Sequence, residues 1–119
     1  MNEVFINSKG WVEVIWGHSI DAVGYVEAAG KMLDLITKIE DSNEEPLMII
    51  DFTKLKKVTQ EVIGLASSAT RDLGCKKIAG FGIKPEFKVL LDTIKKLSKK
   101  ADTIREFNSR DESEVWLEE

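Results

Sequence analysis

Apolar and polar residues alternate at the start of the chain. Val4-Phe5-Ile6 and Trp11-Val12-Glu13-Val14-Ile15-Trp16 are β-branched and aromatic runs separated by the turn-like Asn7-Ser8-Lys9-Gly10, a pattern that predicts a β-hairpin. In the second strand the period of two puts Val12, Val14 and Trp16 on one face, read as the core side, and Trp11, Glu13 and Ile15 on the other. From Asp21 to about Glu40 the period changes. Ala22, Tyr25, Val26, Ala29, Met32, Leu33, Ile36 and Ile39 recur at three- and four-residue steps, the stripe of a helix lying on a sheet, with Ser19 or Asp21 as its cap.

The polar run Asp41-Ser42-Asn43-Glu44-Glu45-Pro46 is a loop leading into the short apolar strand Leu47-Met48-Ile49-Ile50, which Asp51 ends. Thr59 is the expected N-cap of a helix turning Val62, Ile63, Ala66, Ala69 and Leu73 inward, with Gly74 as a left-handed C-terminal stop. Lys77-Ile78-Ala79-Gly80-Phe81-Gly82-Ile83 predicts the next strand. Pro85 opens a helix with Phe87, Leu90, Leu91, Ile94 and Leu97 at helical spacing. Thr103-Ile104-Arg105-Glu106-Phe107 reads as an edge strand, and Ser109-Arg110-Asp111-Glu112 as a capping box for a last helix through Val115, Trp116 and Leu117. The expected order is ββαβαβαβα, an α/β fold with a mixed five-stranded sheet and about four helices, its later strands parallel through right-handed crossovers.

Composition narrows the setting. The 119 residues have the size of one domain, and no apolar run approaches the roughly 20 residues that span a bilayer. The start Met1-Asn2-Glu3-Val4-Phe5 lacks the pattern of a signal peptide, and Cys75 is alone, so the expectation is a cytoplasmic protein without a disulfide or thiolate cluster. The net charge of -4 hides an asymmetry: residues 1–45 carry nine acids against three bases, 54–100 twelve bases against four acids, and 101–119 seven acids against two bases. Such polarity can steer a charged partner.

The order of elements, together with two stretches, resembles the STAS domain and its SpoIIAA-like group of small stand-alone bacterial proteins. One stretch is Ile49-Ile50-Asp51-Phe52-Thr53 followed by Leu55, Val58 and a helix containing Gly64; the other is Ile104-Arg105-Glu106-Phe107 followed by an acidic capped helix ending Val115-Trp116-Leu117. The resemblance implies an anti-sigma factor antagonist-like regulatory module that binds a kinase-like anti-sigma factor or similar regulator, without catalysis. In phosphorylated members a serine preceded by aspartate opens the helix after the third strand. Thr59, Gln60 and Glu61 stand where those members have Asp-Ser-Ser, so Glu61 replaces the acceptor serine. A carboxylate there favours the helix dipole in any case; it also offers a fixed mimic of phosphate, with Thr59 as the alternative phosphoacceptor. The partner surface implied is Thr53, Lys56, Thr59, Gln60, Glu61 and Lys84.

Other chemistry has little footing. His18, the single histidine, has no clustered ligands or motif for a metal or triad site. Asp51 and Lys84 sit at strand ends as in a phosphoacceptor receiver domain, but the acidic cluster after the first strand is missing, and Asp51 is read as stabilising a turn. Gly80-Phe81-Gly82 lacks the further glycine of a dinucleotide fingerprint and is read as close backbone packing. Lys95, Lys96, Lys99 and Lys100 complement a helix C-terminus, and no interleaved basic and aromatic strip marks a nucleic-acid surface. No cofactor and no membrane insertion are expected, and an edge strand leaves room for a homodimer. The rival reading is a small-molecule or lipid carrier, with a pocket between sheet and helices near Trp16, Tyr25 and Phe81.

Overall fold

A computed structural model describes residues 2–119; Met1, with which the reading of the leader begins, lies outside them. The hairpin forms as β1 (Glu3–Ile6) and β2 (Val12–Ile15), antiparallel, with Val4 opposite Val14. Gly10 turns the chain at φ 81° while the Asn7 carboxamide oxygen accepts from the amides of Lys9 and Trp11. After β2, the chain lays down β4 (Leu47–Asp51), β6 (Lys77–Phe81) and β7 (Ile104–Phe107), each parallel to its predecessor, giving a five-stranded sheet in the order β1-β2-β4-β6-β7.

Because the parallel strands advance in one direction and such crossovers share one hand, α1 (Ala22–Asp41), α2 (Gln60–Asp72) and α3 (Pro85–Ser98) all cover the same face. Val12, Val14, Met48, Ile78 and Ile104 point into the core under them. On the opposite face α4 (Arg110–Glu118) covers Trp11, Ile49 and Ala79 with Trp116 and Leu117. Ser109 caps α4: its hydroxyl accepts from the Glu112 amide at 3.2 Å and donates to the Glu112 carboxylate at 3.3 Å.

Two short strands were not anticipated. β3 (Ser19–Ile20) and β5 (Lys57–Val58) form a separate parallel pair just before α1 and α2. Each has two residues, too few to show a period.

The helical stripes also need correction. In α1 the buried line is Tyr25, Ala28, Met32, Ile36 and Ile39, whereas Val26 and Leu33 face outward, as does Leu97 of α3. Helical spacing alone predicts every such apolar residue as inward, but α1 carries two apolar lines and only one can face the sheet. Gly74 does not end α2 in the left-handed region either. Leu73 closes that helix in extended conformation, and left-handed glycines occur only at Gly10 and Gly82 among the described residues. A Cβ on Gly74 would lie 2.9 Å from the Glu40 carboxylate, the mobile end of an exposed side chain of α1.

Gly30, inside α1, has the opposite character, since a Cβ there would meet nothing within 4 Å. Gly30→Ala is therefore expected to raise stability in urea denaturation by about 0.5–1 kcal/mol, the ordinary helix-interior difference. A lower unfolding midpoint would show the space to be filled.

Candidate functional site

At the C-terminal ends of the parallel strands the loops after β2, β4 and β6 converge, the usual place for function in an open α/β sheet. The Asp51 carboxylate closes a turn, accepting from the Thr53 amide at 2.8 Å and the Thr53 hydroxyl at 2.6 Å, as its turn role required. The chain then runs from Thr53 to Thr59 as a surface loop anchored on its inner side. Leu55 is buried, and Lys84, at the start of α3, donates its ammonium to the Leu55 carbonyl at 2.9 Å. The His18 carbonyl accepts from the amides of Lys56 and Lys57, and the Ile20 carbonyl from that of Thr59.

Gly82 sits under this loop at φ 75°, past the end of β6 rather than within it. A Cβ on Gly82 would fall 2.3 Å from the Thr53 methyl, and one on Gly80 would fall 2.8 Å from the Phe52 ring. Both glycines thus admit the β4 loop onto β6, the close packing read from the sequence. The dependence of the loop's shape on Gly82 and Leu55 was not foreseen; a glycine just beyond an apolar strand was the available signal.

The structure brings Thr53 and Lys84 to the same loop. Lys84 serves as an internal brace, while Thr53, Lys54, Lys56, Gln60 and Glu61 are exposed. Glu61 lies in the first turn of α2 and pairs with no base among the described residues. Thr59 is the N-cap, but its hydroxyl makes no capping bond. That oxygen is buried and has no hydrogen-bond partner among the described residues.

His18 is exposed beside a polar recess bordered by Asn2, Glu3, Ser19 and Lys54. The Asn2 carboxamide oxygen accepts from the Gly17 amide at 2.8 Å, fixing one side of that recess. No set of three His, Cys, Asp or Glu side chains is placed to hold a metal among the described residues.

Between the sheet and its three helices lies a cavity of about 110 Å³. Trp16 and Tyr25, with ring centroids 5.8 Å apart, line it as expected. Phe81 does not: it belongs to the opposite face, because side chains alternate along β6 and Phe81 follows Ala79, not Ile78. The walls are apolar apart from Thr70 and the polar tips of the two aromatics. Ligand pockets have volumes of roughly 300–1,000 Å³, so this space does not hold a lipid chain as it stands.

Burial at this core has a measurable consequence. It pushes the Cys75 thiol from its ordinary 9.0 up to about 12, with Glu40 adding to the effect and Lys100 opposing it, and it pushes the Tyr25 phenol from 10.0 to about 12. Both groups are neutral when protonated, and the unfolded chain loses these protons first. The contribution of these two groups to stability is expected to be level below pH 9 and to fall from there to pH 12, by up to about 1.4 kcal/mol per pH unit for each group. Melting temperatures of the native protein and Cys75→Ala across that range test this; equal slopes would remove Cys75 from the account.

By sequence the chain matches no protein-family profile and no curated protein. By structure it is similar to the anti-sigma factor antagonist SpoIIAA in its unphosphorylated form, with a TM-score of 0.64 at 13% identity, over 97% of this chain and 94% of that one. It is also similar to an uncharacterised protein of Shewanella loihica PV-4 with a SpoIIAA-like fold, with a TM-score of 0.62 at 11% identity, over 98% of this chain and 92% of that one. At such identities the likeness shows the fold, which is SpoIIAA-like. No helix among the described residues is long and apolar enough to cross a membrane.

Proposed function

We propose that this chain, which has the SpoIIAA-like fold, is a non-catalytic regulatory module of the bacterial cytoplasm that binds a protein partner through the loop Thr53 to Thr59 and the first turn of α2. The observation that carries this reading is the state of that loop. It is exposed at Thr53, Lys54, Lys56 and Lys57, yet held on its inner side by Asp51, Lys84 and the His18 and Ile20 carbonyls. A surface already fixed loses little freedom on binding, which favours affinity. The partner is of the kinase-like anti-sigma type, or a regulator similar to it, as one structural neighbour is itself an anti-sigma factor antagonist.

Glu61 contributes a permanent charge in this reading. It is exposed in the first turn of α2, where the helix dipole and free amides favour an anion, and it stands in for the charge that phosphorylation would supply. Thr53, Lys56 and Gln60 are the adjoining contacts. Thr59 shapes the helix start and Lys84 the loop behind it.

A pull-down from the source cell with the native protein and with Glu61→Lys, read by mass spectrometry for proteins and extractable lipids, tests the proposal. Retention is expected of one protein that rebinds the purified native chain and loses about tenfold or more in affinity for the variant. Equal binding by both would move the contact away from α2. Recovery of a lipid and no protein would favour the carrier reading.

A further inference from the structure

The outer surface of α1 carries an apolar line that the core does not use. Val23, Val26, Gly30 and Leu33 follow one another at steps of three and four, and Val23, Val26 and Leu33 are 69%, 57% and 46% exposed. Spacing by seven places Val26, Leu33 and Glu40 on one side of the helix. Glu40 reaches Gly74, just past the end of α2, so that side borders α2. There Leu65 is 36% exposed, and the two helices pack on each other below it. Exposed apolar side chains therefore stand on both of the adjoining helices α1 and α2.

Acidic residues flank them. Glu27 and Asp34, also seven apart, flank the line on α1; Glu61 and Asp72, four and seven residues from Leu65, flank it on α2. All four are exposed, and none pairs with a base among the described residues. Lys31 and Lys38 lie farther round α1, beyond Glu27 and Asp34, and Arg71 turns away to donate to the Leu97 carbonyl of α3. Gly30 adds a flat spot in the line, with open space where a side chain would stand. A glycine inside a helix is unfavourable by itself, and here it permits another backbone to come close.

We propose that the seam between α1 and α2 is a groove that seats a basic amphipathic helix of a protein partner, its apolar side on Val26, Leu33 and Leu65 and its lysines or arginines on the four acids. Helix-in-groove recognition works through such spacing, and opposite charges set orientation and partner choice. A second copy of this chain would bring the same acids face to face, and anionic lipid headgroups would be repelled by them. The inference rests on the reading of the chain as a protein-binding module and states the chemistry of what it binds.

The test uses the full chain, labelled with 15N, and a synthetic helical peptide of about three heptads with leucine in its apolar seam and lysine beside it. Shifts are expected at Val23 to Leu33 and around Leu65, with binding that weakens as salt is raised. A V26E/L33E variant, whose substitutions are at exposed sites, should keep its melting temperature and lose about tenfold or more in affinity. A peptide with glutamate in place of lysine should not bind. Absence of shifts, equal binding of the glutamate peptide, or shifts confined to residues 53–59 would overturn the groove. So would a native dimer that V26E/L33E dissociates, since the occupant would then be a second copy. The partner recovered by pull-down separates the two readings: one lost in Glu61→Lys but bound fully by V26E/L33E refutes the groove alone, whereas finding no protein partner at all refutes the module on which it rests.

Discussion

Replacing Arg110 with alanine is expected to lower folding stability by about 3 kcal/mol at neutral pH, because it would strand a buried charge. Glu13 is only 5% exposed, on the face of β2 that α4 covers. Its two carboxylate oxygens accept from the Arg110 guanidinium at 2.9 and 2.7 Å, and one also accepts from the Asn7 carboxamide at 3.0 Å. Arg110 opens α4 and braces itself on Glu114 at 2.9 Å. The hydrogen bonds from Arg110, helped by Asn7, hold the Glu13 carboxyl below the usual carboxylate range against the opposing effect of burial. The stabilisation from this pair is therefore present above the unfolded-state pKa, near 4.5, and is lost as the pH falls through the depressed folded value.

Without Arg110, burial prevails and the carboxyl shifts upward, so the deficit of Arg110→Ala is expected to be largest at neutral pH and to narrow in acid. Removing both charges, in Glu13→Gln with Arg110→Met, should cost less than Arg110→Ala alone, since nothing buried is then left ionised. Urea denaturation of the three proteins from pH 3 to 7 reads this directly. A deficit below about 1 kcal/mol, or one independent of pH, would mean that water reaches Glu13 and that the pair does little to hold α4.

Gly82→Ala should be comparably damaging, at about 3 kcal/mol, and its effect should be felt in the candidate site. A φ of 75° is strained for alanine, by about 1–3 kcal/mol. The new Cβ would also stand 2.3 Å from the Thr53 methyl and 3.2 Å from the Thr53 backbone, so the loop must move. Thr53→Ser in the same chain removes the methyl and should restore part of the loss, while the strain in φ remains. Hydrogen exchange should accelerate at the Lys56 and Lys57 amides, which bond the His18 carbonyl, and partner binding through the loop should weaken. If Gly82→Ala proved as stable as the native protein with exchange unchanged, Gly82 would not be what seats the loop.

The candidate site was legible as a place before it was legible as a mechanism. Asp51 at a strand end, Thr59 before a helical stripe and Pro85 opening the next helix mark loops and caps through local chemistry that survives in the folded chain. The bracing of that loop was not legible. It comes from the Lys84 ammonium on the Leu55 carbonyl and from the pairing of Ser19 with Lys57, contacts between residues far apart in the chain. Nor could local pattern show that the Thr59 hydroxyl would be enclosed without a partner, for the N-cap position alone leads one to expect a bond.

Apart from the short pair β3 and β5, the sequence by itself determined the five strands of the main sheet and the four helices, where the hairpin turns, and the order in which a mixed sheet is built. These follow from backbone periods and turn chemistry, which act over a few neighbouring residues. Only the tertiary structure decided which apolar line of α1 meets the sheet, leaving Val26 and Leu33 outside, and that Phe81 belongs with Trp116 rather than with Trp16 and Tyr25. It alone joined Glu13 to Arg110, across 97 residues of chain. A period states that a face exists; what covers that face depends on how distant segments share a limited core, and that is settled by packing all of them at once.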